Sequence, residues 1–368
     1  MSNSLRVAMI TEPTSWHRQK LIDALSADEI GEVAVADATG ATFDEVRDGA
    51  GPKLQATYTD LDHMLREFNP DAALVTLEPW RMPAAIKQAL EAGVHVYHEK
   101  PGYVDIEDYR EITRLARSRN LHLCIAYLSR MIPVVQEARR IVSEGLLGDL
   151  FSFQAHFIAD QERIKQDPAD RFEYDHAAGG WFFSKAKGGG GHLTILGCHY
   201  LDMLRYVSGS DFTSVVAMCK NVGGEPITVE DAAALTIEFD NGMIGNLNAG
   251  FYTNKAEYAS QRHSDITIWG REGWLSFNPS AEVAGVPLRW ASNRGVHASA
   301  PLKTVTYDAT DATAEVYPLL VQAFLRACQG EGPSPLAPED GLWVAECTQA
   351  AYRAAETGRI QQVSIPAG

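Results

Sequence analysis

The sequence predicts an α/β protein in two parts: a doubly wound parallel sheet, then an α+β part with a large, mainly antiparallel sheet. Two patterns predict this. Up to about residue 125, short apolar runs alternate with amphipathic stretches, which is typical of β-α-β units. From residue 150 onward, strand-like runs follow one another with few helices between them. We therefore expect one domain over residues 1–127 and a second over residues 128–368.

In the first part, strands are expected as short apolar runs, and helices as stretches with apolar residues three or four positions apart. The predicted strands are residues 6–11, 33–36, 71–77, 94–97 and 121–127, and the predicted helices are residues 17–26, 84–92 and 106–117. Ligands of such sheets bind at the carboxyl ends of the strands. Residues that follow these strands are therefore the first candidates for a binding site.

The second part begins with a predicted helix over residues 133–144. Its predicted strands are residues 150–158, 214–219, 232–239, 243–249, 265–269 and 273–277. The segment Asp240-Asn241-Gly242 between two of them is typical of a β-hairpin, because Asn and Gly tolerate positive φ. This part is expected to form a sheet with helices on one side.

Composition narrows the class of protein. The chain has 368 residues, 45% hydrophobic and 22% charged, as in an ordinary globular protein. A net charge of −16 argues against nucleic acid or an anionic membrane as partner, since both need a basic surface. No apolar stretch reaches the ~20 residues needed to span a bilayer. Five scattered cysteines and the lack of an apolar leader favour free thiols and a cytoplasmic location.

Lys100 is the first candidate functional residue. It lies in His98-Glu99-Lys100-Pro101, directly after a predicted strand, and the proline biases the preceding residue away from helix. Lys100 is thus expected at the carboxyl end of a strand, where an ammonium can donate hydrogen bonds or stabilise negative charge. A solvated surface lysine is the alternative.

The second candidate region is the glycine run over residues 188–191 and the helix predicted after it. Glycines permit close approach of a ligand. His199 and Asp202 are three residues apart and share a helix face, an arrangement used in acid–base catalysis. A core histidine bonded to a carbonyl is the alternative. No metal site is predicted, because the spacing of His192, His199 and Asp202 matches no trusted ligand pattern.

The first strand is followed by a turn without glycine. A dinucleotide site normally has Gly-x-Gly-x-x-Gly here, because the backbone must approach the pyrophosphate. Residues 11–17 read Thr-Glu-Pro-Thr-Ser-Trp-His instead. Glu12 adds negative charge near the phosphate position, and a turn filled by Glu12 or Trp16 would disfavour dinucleotide binding. Asp37 follows the second strand, where an acidic residue binds the adenosine ribose.

Several segments, taken in order, carry a resemblance to a known family. They are residues 89–96 leading into 99–101, 145–149, 188–202, 237–242, 270–273 and 338–359. In this order they resemble the Gfo/Idh/MocA family of nicotinamide-dependent sugar and polyol oxidoreductases over essentially the whole chain. The resemblance implies an N-terminal Rossmann domain, a C-terminal sheet domain whose open face carries oligomer contacts, and a homo-oligomer (dimer or tetramer).

The resemblance also implies roles for individual residues. Lys100 and His199 would orient and deprotonate a substrate hydroxyl while hydride leaves for the cofactor. The expected cofactor contacts are Thr11, Asp37, Glu99, Lys100 and Pro101, and the expected substrate contacts are Tyr127, Trp181 and His192. NAD is favoured over NADP, because Asp37 would repel a 2′-phosphate. Polar and aromatic residues in 160–183, including Arg163, Asp175 and His176, are further candidates for the substrate side of the cleft.

Three departures from the family pattern lie at one cleft. Ile195 replaces the usual Asp four residues before the histidine, residues 77–82 lack the usual strand-end histidine, and the glycine fingerprint is absent. Trp16 and Trp80 either stack on a bound ring or fill the vacated space. Two functions remain open. One is an enzyme acting on a carbohydrate, by net dehydrogenation or by transient oxidation with bound NAD. The other is a relative without a dinucleotide, either a lyase or isomerase of keto-sugars or a non-catalytic subunit.

Overall fold

The structure is a computed structural model that describes residues 4–159, 181–224, 227–251, 263–279, 288–299, 302–305 and 312–365. The predicted cleft residues Arg163, Asp175 and His176 lie outside these ranges.

The first sheet has six parallel strands. They are β1 (Leu5–Thr11), β2 (Ile30–Ala36), β3 (Leu54–Tyr58), β4 (Ala72–Thr76), β5 (His95–His98) and β6 (Leu123–Ile125), in the order β3-β2-β1-β4-β5-β6. The central strands β1 and β4 are apolar and almost entirely buried, as expected for a parallel sheet covered on both faces. The predicted doubly wound sheet is confirmed, although the edge strand β3 was not predicted.

Five helices cover this sheet. They are α1 (Arg18–Ala24), α2 (Phe43–Ala50), α3 (Leu61–Phe68), α4 (Met82–Glu91) and α5 (Ile106–Ser118). Side chains fix the beginnings of two of them: Asp60 accepts a hydrogen bond from the His63 amide, and Asp105 accepts one from the Glu107 amide. The strand order reverses between β1 and β4, so the carboxyl ends of these two strands border the crevice where ligands of this architecture bind.

The second sheet has nine strands among the described residues of this part of the chain. They are β7 (Leu150–Ile158), β8 (Phe212–Lys220), β9 (Ala232–Phe239), β10 (Ile244–Gly250), β11 (His263–Gly270), β12 (Gly273–Phe277), β13 (Leu288–Ser292), β14 (Lys303–Val305) and β15 (Gln361–Gln362), in the order β14-β13-β12-β11-β7-β10-β9-β8-β15. Only the β7–β10 pair is parallel among the pairings of the described strands. The predicted antiparallel character is confirmed. The predicted hairpin joins β9 to β10, with Gly242 at φ +81°.

Among the described residues, four longer helices follow, in addition to the one-turn helix Lys185–Gly188. They are α6 (Pro133–Ser143), α7 (Cys198–Ser208), α8 (Ala312–Cys328) and α9 (Pro338–Thr357). Helix α8 contacts α1 and β5 of the first sheet, and α9 contacts both α5 and β8. The C-terminal part of the chain thus returns to the first sheet. None of the helices in the described ranges has the length and apolar character needed to cross a membrane.

Candidate active site

Lys100 lies just beyond β5, as predicted, and is only 5% exposed. Its Nζ donates a hydrogen bond to the carbonyl oxygen of Ile195 at 2.6 Å and lies 4.7 Å from the centre of the Trp16 ring. A buried ammonium needs such partners, because desolvation without them is costly. The contact with Ile195 connects the carboxyl end of β5 to the segment that begins the His199 helix.

That segment is a π-helical turn, Leu193–Gly197, which continues directly into α7. His199 follows Ile195 by four residues, so Lys100 is bonded to the turn that precedes the histidine. Tyr127, just after β6, contacts the His199 ring edge to face, with ring centres 5.9 Å apart. Burial raises the pKa of Tyr127 well above its ordinary value, so the phenol stays protonated. The structure therefore links Lys100 to the turn that precedes His199 and places Tyr127 against the His199 ring.

Asp202 does not serve as the partner of His199. Its carboxylate is fully buried and accepts hydrogen bonds from Arg130, at 3.0 Å and 3.1 Å from Nε and at 2.6 Å from a terminal nitrogen. Burial lowers the pKa of Arg130, but the neighbouring carboxylate outweighs this effect and raises it. Arg130 also donates to Asp340 of α9 at 3.1 Å. The predicted pairing of His199 with Asp202 is therefore wrong, and the Arg130–Asp202 pair anchors α7 instead.

The glycine run packs against the protein itself. A Cβ at Gly191 would lie 1.8 Å from the carbonyl oxygen of Glu230, and one at Gly190 would lie 2.2 Å from the Tyr352 hydroxyl. The Glu230 carboxylate accepts hydrogen bonds from the amides of Gly191 and Leu193, each at 2.9 Å. Close approach of backbone to Glu230 and Tyr352 accounts for these glycines, rather than the close approach of a ligand that the sequence suggested.

The two other predicted substrate residues are buried. His192 has no exposed surface and lies between Phe157 and Phe251, with ring centres at 5.3 Å and 4.3 Å. Trp181 is 2% exposed and packs on Trp16, 5.9 Å away. Trp181 thus contacts Trp16, the ring that lies next to Lys100. His192, in contrast, is packed among aromatic core residues. Substrate contact by either residue stays a prediction.

Glu12 fills the turn after β1. It is 4% exposed, accepts a hydrogen bond from the Glu78 amide at 2.5 Å and forms an ion pair with Arg81. Thr11, the last residue of β1, is also buried, and its hydroxyl lies 3.3 Å from that of Ser15. The turn holds an internal carboxylate where a dinucleotide needs room for its pyrophosphate. With the Glu12–Arg81 pair closed, as in this structure, the turn does not fit the phosphates of a dinucleotide.

The carboxylate of Asp37 accepts four hydrogen bonds from residues of its own loop. One carboxylate oxygen accepts hydrogen bonds from the amide and hydroxyl of Thr39, and the other from the amide and hydroxyl of Thr42, all at 2.9 Å. A carboxylate offers about four acceptor sites. The predicted contact with a ribose would therefore require one of these bonds to open.

The bonds to Asp37 predict a pH-dependent stability. Burial raises the pKa of Asp37, but the hydrogen bonds from Thr39 and Thr42 outweigh it and hold this pKa below its ordinary value. Such a carboxyl adds stability above its unfolded-state pKa of about 4, and this stability is lost as the pH falls through the folded-state pKa. Asp37→Asn is expected to lower the free energy of unfolding by about 1–3 kcal/mol at pH 7, and by less in acid.

Urea unfolding at pH 7 and near pH 3 checks this prediction. The exposed Asp44 supplies the control, because Asp44→Asn should leave stability nearly unchanged at both pH values. An Asp37→Asn deficit that is equally large in acid would contradict it.

Glu99 has a carboxylate oxygen that could accept a hydrogen bond from a cofactor. It is 3% exposed, and one carboxylate oxygen lies 3.1 Å from His17 Nδ1 and 3.2 Å from the Lys100 amide. The other oxygen, Oε1, is buried and has no hydrogen-bond partner among the described residues. A ribose hydroxyl at the carboxyl end of β5 would satisfy this oxygen. The nicotinamide riboside end of a dinucleotide therefore fits here, beside Lys100 and the cis peptide to Pro101.

Within the ranges the structure describes, no three His, Cys, Asp or Glu side chains are arranged to hold a metal ion.

Comparison with known proteins identifies the family. Residues 16–127 match the oxidoreductase family with an NAD-binding Rossmann fold, and residues 135–276 match the GFO/IDH/MocA C-terminal domain. The first match begins at residue 16, four residues after Glu12. The 1,5-anhydro-D-fructose reductase of Ensifer adhaerens is 24% identical over 83% of each chain. The levoglucosan dehydrogenase of Pseudarthrobacter phenanthrenivorans is 26% identical, over 52% of this chain and about half (50%) of that protein.

A solved structure of levoglucosan dehydrogenase in complex with NADH has the same fold. Its TM-score is 0.83 at 19% identity, and the alignment covers 99% of this chain and 100% of that chain. The two family matches together span most of this chain, and they cover the units that carry Lys100 and His199. This chain therefore belongs to the Gfo/Idh/MocA family and is an oxidoreductase with the N-terminal NAD-binding Rossmann domain of that family.

Proposed function

We propose that this protein is an NAD-dependent oxidoreductase that acts on a hydroxyl group of a sugar, glycoside or polyol. One observation carries the proposal: Lys100, at the carboxyl end of β5, is hydrogen-bonded to the turn that begins the His199 helix. We infer from this link that the Lys100 cation and the His199 imidazole act together at the ligand-binding end of the first sheet. Relatives named as reductases and dehydrogenases of sugars support the substrate class.

Lys100 and His199 would have different roles in the oxidation of the substrate hydroxyl. The Lys100 ammonium donates a hydrogen bond to Ile195 and, as a cation, would stabilise negative charge on a substrate oxygen. A neutral His199 accepts the hydroxyl proton, with its ring positioned by Tyr127. When bound, NAD supplies the hydride acceptor. The same groups serve net dehydrogenation and transient oxidation. Only the net reaction accumulates reduced cofactor.

The cofactor contacts follow from the strand ends. Glu99 Oε1 would accept a hydrogen bond from the nicotinamide ribose, next to Lys100 and Pro101. Thr11 and Asp37, at the ends of β1 and β2, would face the rest of the dinucleotide. The Asp37 carboxylate would repel a 2′-phosphate, which favours NAD over NADP.

The open face of the second sheet, with Met218 70% exposed, is where we expect contacts of a homo-oligomer.

His199 provides the test. Reduction of NAD+ and NADP+ is measured by absorbance with a panel of sugars, glycosides and polyols. On the best substrate, His199→Ala is expected to lower kcat about 10²–10⁴-fold, because the proton acceptor is lost. The control is His63→Ala, since His63 is 60% exposed and pairs with Glu67 on the surface of its own helix. Equal rates in the wild type and both variants would contradict the role of His199.

A second candidate function has a specific observation in its favour. Glu12 fills the phosphate turn and Asp37 is saturated, as expected of a relative that acts without a dinucleotide. Lys100 and His199 would then catalyse isomerisation or elimination on a keto-sugar. Deuterium uptake by a keto-sugar from D2O, catalysed by the protein free of dinucleotide and lost in Lys100→Met, would favour this function. A partner subunit would show neither activity.

A further inference from the structure

The Glu12–Arg81 ion pair lies across the crevice of the first sheet. Glu12 directly follows β1, and Arg81 lies five residues beyond β4. These two strands are neighbours, with Thr11 opposite Thr76, and the strand order reverses between them. In doubly wound sheets, the phosphates of a dinucleotide bind beside this point of reversal. The ion pair therefore spans the position at which a dinucleotide would place its phosphates.

The Glu12 carboxylate uses the donors that a phosphate would use. It accepts the Glu78 amide at 2.5 Å and pairs with the Arg81 guanidinium. Backbone amides and arginine are the donors that bind phosphate oxygens in proteins. The Glu12 side chain is 5% exposed, whereas that of Arg81 is 46% exposed and stacks near the Trp80 ring at 5.2 Å. The Glu12 carboxylate is thus buried in the crevice, and the Arg81 guanidinium lies at its solvent-exposed edge.

We propose that Glu12 is an internal anion that closes the phosphate position, and that a dinucleotide binds when the Glu12–Arg81 pair opens and Arg81 turns to the phosphate. This inference rests on the proposed function, because it presupposes a dinucleotide as ligand. Glu12 and Arg81 are then determinants of cofactor affinity that contact neither the substrate nor the nicotinamide.

The proposal predicts opposite effects of the two partners. The apparent dissociation constant is the intrinsic constant divided by the fraction of open protein. Glu12→Gln keeps an acceptor for the Glu78 amide but removes the negative charge, so NADH should bind at least about tenfold more tightly. Arg81→Met removes the cation and leaves the carboxylate facing the phosphate, so NADH should bind more weakly than to the wild type. A purely structural ion pair would make both variants change in the same direction.

The experiment is isothermal titration of NADH into the full-length wild type, Glu12→Gln and Arg81→Met. Glu78→Gln serves as the matched control, because it removes a negative charge from the same loop without freeing Arg81. The expected result is tighter binding to Glu12→Gln, weaker binding to Arg81→Met and little change in Glu78→Gln. Thermal unfolding of each variant verifies its fold. If Glu12→Gln does not fold, Glu12→Ser replaces it in the same comparison.

Two results would overturn the proposal in different ways. If the wild type and Glu12→Gln bind NADH equally well, or if Glu78→Gln gains as much as Glu12→Gln, Glu12 does not close the site and the proposed function stands. If neither the wild type nor Glu12→Gln binds NADH or NADPH, the proposal fails together with the dinucleotide-dependent function.

Discussion

Replacing Lys100 by methionine is expected to lower kcat by about three orders of magnitude. Methionine keeps most of the volume of the buried side chain but removes the ammonium that contacts Ile195 and Trp16. Without this cation, nothing we assign to the site stabilises the negative charge on the substrate oxygen. Turnover is measured by absorbance of reduced nicotinamide on the best substrate of the panel, and circular dichroism checks the fold.

Lys87→Met is the matched control for this experiment. Lys87 lies on α4, is 40% exposed and pairs with Glu111 of α5. Its replacement makes the same chemical change at a surface ion pair, so kcat should stay near that of the wild type. A Lys100→Met variant as active as Lys87→Met would remove Lys100 from the mechanism.

Replacing Arg130 by methionine is expected to have the largest effect on stability, a loss of about 3–5 kcal/mol in the free energy of unfolding. The variant leaves the carboxylate of Asp202, which has no exposed surface, without its cation. Asp340 loses one of its two arginine partners as well, and keeps Arg205. Urea unfolding followed by circular dichroism measures the loss.

Arg140→Met provides the comparison for the buried pair. Arg140 is 46% exposed and pairs with Glu137 and Glu144 on the surface of α6, where ion pairs contribute about 0–1 kcal/mol. A loss in Arg130→Met no greater than that in Arg140→Met would contradict the anchoring role of the buried pair. It would also weaken the argument that this pair fixes the helix that carries His199.

Whether an element could be predicted depended on how strong a local pattern its residues carry. The buried strands β1 and β4 are apolar throughout and were predicted, whereas β3 alternates polar residues at the edge of the sheet and was not. Helix α8 was not predicted either, since it contains Pro318, a residue that usually ends a helix. Local patterns identify an element when burial imposes them, and edge strands and proline-containing helices carry a weaker pattern.

The candidate site shows the same limit. The position of Lys100 followed from local features, a strand and a proline, and it was predicted correctly. The partner of Asp202 was not predicted correctly. Helix spacing indicates only neighbours on the same helix, whereas Arg130 comes from a segment 72 residues earlier. Likewise, the sequence placed the charge of Glu12 in the turn, but its pairing with Arg81 requires β1 and β4 to be adjacent, which only the folded sheet shows.

The most direct test of the account is native mass spectrometry of the purified protein, before and after addition of NAD+, with the released small molecules identified after denaturation. If the protein binds NAD and Glu12 closes the phosphate position, we expect one dinucleotide per chain, at higher occupancy in Glu12→Gln than in the wild type. A protein that stays empty in both forms, with NAD+ and with NADP+, would contradict it and would direct attention to cofactor-free chemistry at Lys100 and His199.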